Sequence, residues 1–99
     1  RNDIKIISKE KIGIFSVILY EIDPGARGSK TINVTIGIKP NLNERGNIFS
    51  AVFPESSYTT INVDEEKKIV YVYLNESRYT IIRQMTSYKK ITIKYETFQ

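Results

Sequence analysis

Strict alternation restricts the fold of this chain more than any other feature: Ile32, Val34, Ile36 and Ile38 are separated by Thr31, Asn33, Thr35 and Gly37. Side chains along a β-strand point to opposite faces in turn, so a period of two sets one apolar face against a core. The pattern returns near the end, where Ile91, Ile93 and Tyr95 share one face and Thr92, Lys94 and Glu96 the other. Two further runs, Ile12 to Ile22 and Ile69 to Leu74, are apolar on both faces and rich in β-branched and aromatic residues. They are expected to be central strands.

Turn chemistry separates these runs. Asp23-Pro24-Gly25 with Arg27-Gly28-Ser29, and then Pro40 to Asn47, carry the Gly, Pro and Asn content of surface loops. Gly25 and Gly28 are expected to supply positive φ there, and Asn47 to bond nearby backbone as the loop re-enters a strand. Asp64 to Lys68 and Leu74 to Arg78 are short and polar, which predicts antiparallel hairpins and a meander through residues 59 to 84. Neither Asn41 to Asn47 nor Arg83 to Tyr88 has a helix cap or an apolar stripe, so the whole chain is read as β. The expectation is one all-β domain over residues 1–99, a small antiparallel β-sandwich or a partly open barrel of six to eight strands. Because the chain begins with Arg1, it is expected to be the soluble part of a longer protein.

Composition removes much of the catalytic repertoire. There is no Cys and no His, hence no disulfide, thiolate nucleophile, Ser-His-Asp triad or imidazole zinc site. The longest apolar run, Ile12 to Tyr20, contains Gly13 and Ser16 and is far shorter than a bilayer span of roughly 18 residues. A formal net charge of +4 favours anionic partners, although the abundance of Ile, Lys, Asn and Tyr also fits AT-rich coding.

The remaining motifs are weak. Asp64-Glu65-Glu66 lacks the ligand spacing of a calcium loop and reads as solvated turn charge. Carboxylates for glycoside hydrolysis could come from Glu10, Glu21, Asp23, Glu55 or Glu96, with nothing to pair any two across a cleft. Ser29-Lys30 spells a Ser-Lys dyad, but neighbours on a strand face opposite ways. Asn33-Val34-Thr35 and Asn75-Glu76-Ser77 fit the N-glycosylation pattern. Tyr71, Tyr73, Tyr79, Tyr88 and Tyr95 interleave with Lys68, Arg78, Arg83, Lys89, Lys90 and Lys94, as on surfaces that stack single-stranded nucleic acid. Their spacing favours packing: Tyr71 and Tyr73 share one face of a strand, and Tyr95 shares the face of Ile91 and Ile93. For an exposed strand edge two alternatives stay open: it pairs with a second copy, or Lys-rich segments such as Lys89-Lys90 discourage such pairing.

Taken in order, Val17 to Asp23, the turn Gly25-Ala26-Arg27-Gly28-Ser29, the loop exit Gly46-Asn47-Ile48-Phe49 and the closing Ile91 to Glu96 resemble the DUF5412-type domain of small bacterial proteins of unknown function. The chain departs from that pattern at Lys9-Glu10-Lys11, Arg27-Gly28 and Val63. The resemblance implies an extracytoplasmic β domain of a Gram-positive-like bacterium, held at the membrane or cell surface as a lipoprotein or by an upstream anchor. It carries no activity, cofactor or metal onto any residue.

The leading expectation is therefore a non-enzymatic envelope domain, without cofactor, that binds or braces an anionic envelope component or a membrane protein. Asp23, Arg27, Ser29, Asn47 and Phe49 are its candidate loop or surface contacts. The alternative is an OB-like domain for single-stranded nucleic acid.

Overall fold

The computed structural model describes residues 2–52, 58–75 and 79–98. Glu55, Glu76, Ser77 and Arg78, named above, lie outside them. The described residues form nine strands: β1 Asp3–Ile12, β2 Phe15–Asp23, β3 Thr31–Gly37, β4 Phe49–Val52, β5 Thr59–Asp64, β6 Ile69–Leu74, β7 Thr80–Gln84, β8 Ser87–Tyr88 and β9 Ile91–Thr97. The only helical piece among them is a 3-10 turn at Gly25–Arg27. One sheet has the order β1-β2-β3-β4-β7 and the other β5-β6-β9-β8. The fold is all-β, two sheets face to face, not closed into a barrel.

Two differences from the sequence reading have physical causes. The run from Ile12 to Ile22 is not one strand, because Gly13 takes φ of 59° and turns the chain, leaving Ile12 paired with Phe15 in a hairpin. That hairpin, with the two-residue β8, brings the strand count above the expected six to eight. The meander stops at β6. β5 and β6 pair antiparallel as expected, but β7 crosses to the other sheet to pair with β4, and β6 takes β9 as a parallel neighbour. A parallel partner is reached only by a crossover, which local turn signals do not announce.

The alternation does what period two requires. Ile32, Val34 and Ile36 of β3 meet Val17 and Leu19 of β2, Phe49 and Ala51 of β4, Val70, Val72 and Leu74 of β6, and Ile91 and Ile93 of β9 in one core. Burying a branched side chain contributes about 1.5–3 kcal/mol, so this layer carries the stability of the fold.

A second layer covers the outside of the first sheet. Ile18, Tyr20 and Ile22 face away from the core yet are buried, because the connection from β3 to β4 folds back over them and brings Leu42 down. The buried Tyr20 hydroxyl donates to the Glu44 carbonyl at 2.6 Å. Buried Asn33 joins the layers: its Oδ1 accepts from the Gly46 N–H at 3.0 Å and the Ser50 hydroxyl at 2.7 Å, and its Nδ2 donates to Thr31 Oγ1 at 3.0 Å. Gly46 has no room for a side chain, since a Cβ there would stand 2.3 Å from the Val34 carbonyl oxygen. Asn33 is 0 % exposed, so its glycosylation pattern marks no available acceptor.

Candidate functional site

The residues selected from sequence do not converge. Phe49 is a correction: it is 0 % exposed, lies on β4 and packs in the core against Tyr95 at 5.6 Å between ring centroids, so it cannot be a surface contact. Asn47 acts as a substitute strand neighbour. Its Oδ1 accepts from the Ile36 N–H and its Nδ2 donates to the Ile36 carbonyl, both at 2.9 Å. This bears out the reading that it bonds nearby backbone. Asp23 Oδ1 accepts from the Gly25 N–H at 2.9 Å, forming an Asx turn with Gly25 at φ of 71°. Gly28, with φ of 172°, is simply extended. Arg27 and Ser29 are exposed. Ser29 lines a shallow cleft of about 210 Å³ with Arg45 and Asn43, but Arg27 is not part of that lining.

A more developed site lies at the other end of the first sheet, about 27 Å away along the nine residues of β2. Three turns meet there. The β1–β2 hairpin contributes Gly13-Ile14, the β5–β6 turn contributes Lys68, and the β8–β9 hairpin contributes Lys89-Lys90. Together with Ile12, Phe15 and Ile91 they line a cleft of about 420 Å³. Two hydrogen bonds hold the turns in register: Gly13 N–H to Glu65 Oε2 and Thr92 N–H to the Lys68 carbonyl, both 2.9 Å. Asp64 Oδ1 accepts from Lys67 N–H at 3.0 Å and shapes the β5–β6 turn. Thus Asp64 and Glu65 act in turn structure.

The backbone at this end is strained in a telling way. Gly13, Lys68 and Lys89 all have positive φ, of 59°, 58° and 54°. Glycine adopts this region freely and asparagine tolerates it, whereas another side chain there costs about 1–2 kcal/mol. Lysine therefore stands at two places where glycine would be easier. Lys89 Nζ lies 6.0 Å from the Phe15 ring centroid and 5.8 Å from that of Tyr88, two rings that themselves meet edge to face at 5.6 Å. Lys89-Lys90 forms the tip of the hairpin that joins the edge strand β8 to β9. The rim is cationic, the floor is apolar, and Ile14 at the tip is 68 % exposed.

The tyrosines divide between two roles. Tyr79, Tyr88 and Tyr95 pack against the core. The Tyr95 hydroxyl donates to the Met85 carbonyl at 2.6 Å, and burial raises its pKa well above the ordinary phenol value. Tyr71 and Tyr73 instead occupy the outer face of the second sheet, with rings 6.1 Å apart and 16° from parallel. Tyr71 stands between Asn62 and Lys94, and Tyr73 between Thr60 and Glu96.

Among the described residues no group of three or more Asp or Glu is placed to hold a metal ion, and no helix is long and apolar enough to cross a membrane. Sequence reading placed Lys68, Lys89 and Lys90 in its wider aromatic-and-basic set but did not single them out or join them to Ile14, because they come from three separate turns. No protein-family model, no curated protein and no solved structure matches the chain.

Proposed function

We propose that this is a non-enzymatic binding domain of a bacterial cell envelope, acting outside the cytoplasm, whose turn end engages an anionic envelope component. The observation that carries the reading is the convergence of Lys68, Lys89 and Lys90 around one cleft, two of them in a backbone conformation that disfavours lysine. Strain kept where it does not help folding is a reason to look for function. The resemblance noted in the sequence supplies the extracytoplasmic setting, and the positive net charge agrees with an anionic partner.

Titration with inorganic polyphosphate at rising salt tests this directly. The wild-type domain should bind with an affinity that falls as salt screens the lysines, and the triple variant Lys68→Gln/Lys89→Gln/Lys90→Gln should bind at least about tenfold more weakly. Equal affinity of the two proteins would remove the turn end from the account.

A second reading, binding of single-stranded nucleic acid, is favoured by the outward Tyr71–Tyr73 pair. It ranks lower because the charged residues beside Ile69, Tyr71 and Tyr73 on that face are Asp64, Lys94 and Glu96, two carboxylates to one ammonium. A phosphate backbone would meet no net attraction there. Binding of an oligothymidylate that drops several-fold in Tyr71→Ala, and is unmoved by the lysine variant, would reverse this order.

A further inference from the structure

We propose that the occupant of the turn end is the surface of an anionic lipid bilayer, with Ile14 entering the boundary between headgroups and acyl chains. This rests on the reading of the turn end as an anion-binding site and names its partner. A soluble polyanion would satisfy the ammonium groups alone. It would leave Ile14, 68 % exposed at the tip of a two-residue hairpin, in water beside the apolar floor formed by Ile12, Phe15 and Ile91.

A lipid surface satisfies both halves of the site. Lysine stems lie along apolar surface while their ammonium groups reach out to phosphate, and anionic headgroups attract each such charge. Lys89 already extends beside the rings of Phe15 and Tyr88. Tyr88, apolar in body and polar at its tip, suits the interfacial level. One inserted isoleucine adds about ten- to a hundredfold to partitioning, so the contact should be reversible and should need the lysines as well. The three turns are joined by hydrogen bonds across strands, so the wedge is held on a preformed support.

The chain contains no tryptophan, which makes Ile14→Trp a probe whose indole emission reports on the tip alone. With phosphatidylglycerol vesicles the emission should shift to the blue and be quenched by brominated acyl chains. With phosphatidylcholine vesicles, and with inorganic polyphosphate, it should not shift. In parallel, Ile14→Asn should lower partitioning onto phosphatidylglycerol vesicles by about tenfold or more while leaving polyphosphate affinity unchanged. Vesicle binding without a blue shift, or equal partitioning by Ile14→Asn, would overturn insertion and leave the anion-binding reading standing. Vesicle and polyphosphate binding that both ignore the triple lysine substitution would overturn the two together. Position 14 is exposed in a loop, and an unchanged far-ultraviolet spectrum would confirm that both variants fold.

Discussion

The outer face of the first sheet and the turn end use polar residues in opposite ways. Under the β3–β4 connection polar groups are matched inside the protein: Asn33 serves Gly46, Ser50 and Thr31, Asn47 serves Ile36, and Tyr20 serves Glu44. Buried groups satisfied in this way hold a layer in place and leave nothing to offer a ligand. At the turn end the polar groups are exposed ammonium ions, and the backbone is strained to present two of them. The comparison separates polarity that builds structure from polarity that faces outward, and among the loop residues picked from sequence it sorts Asp23 and Asn47, which bond backbone, from Arg27 and Ser29, which are exposed.

Four substitutions can break or sharpen this contrast. Gly46→Ala should have the largest effect, more than about 3 kcal/mol of stability in urea denaturation, because the new Cβ would meet backbone oxygens of Val34 and Phe49 at 2.3 and 2.4 Å. A loss below about 1 kcal/mol would mean that the connection lifts off the sheet easily. Asn33→Leu should follow, at about 2–4 kcal/mol, since it strands the Gly46 N–H and the Ser50 hydroxyl in a buried layer.

Tyr20→Phe should remove about 1 kcal/mol at neutral pH with its bond to Glu44. It also carries a pH signature. Burial, then the nearby Glu44 charge, push the Tyr20 phenol from 10.0 up to about 12, against the opposing pull of Arg83. The folded state thus holds this proton more tightly than the unfolded state. Its contribution is full below pH 10 and is lost as the pH rises toward about 12. Urea midpoints measured between pH 9 and 11.5 should fall less steeply for Tyr20→Phe than for the wild type.

The smallest effect on stability belongs to the turn end. Lys89→Asn should leave stability unchanged or raise it by up to about 1 kcal/mol, since asparagine tolerates positive φ. The same substitution should weaken polyphosphate binding about fivefold. A loss of stability would show that Lys89 is kept for packing on Phe15 and Tyr88, which would sharpen the comparison against the proposed role.

The core face was legible where alternation is clean: Ile32, Val34 and Ile36, and Ile91, Ile93 and Tyr95, lie on the side where the period places them. Ile38, read with the first set, lies beyond β3 and is 64 % exposed, and the polar face of β3 is buried as well, because Asn33 and Thr35 bond to the β3–β4 connection. β1 was not legible, because an edge strand with exposed Lys5, Lys9 and Lys11 and an irregularity between Ile6 and Ser8 carries no clean period. The parallel pairing of β6 with β9 was hidden for the same reason that crossovers usually are, since it depends on where a distant strand returns. Of the candidate residues, Asn47 was legible in its backbone role. Phe49 was misread because a loop-exit motif looks the same whether its last residue points outward or starts a buried strand. The lysine cleft was legible only as part of a wider basic and aromatic composition, because three hairpin turns assemble it and the fold alone brings them to one end.

The central claim is that the turn end, and no other surface, meets the anionic partner. Amide chemical shifts of the labelled domain, followed during titration with phosphatidylglycerol-containing bicelles, test it most directly. The account predicts that the largest changes fall on Gly13, Ile14, Lys68, Lys89, Lys90 and Ile91. Changes centred instead on Asp23 to Ser29, or on Tyr71 and Tyr73, with the turn end silent, would contradict it.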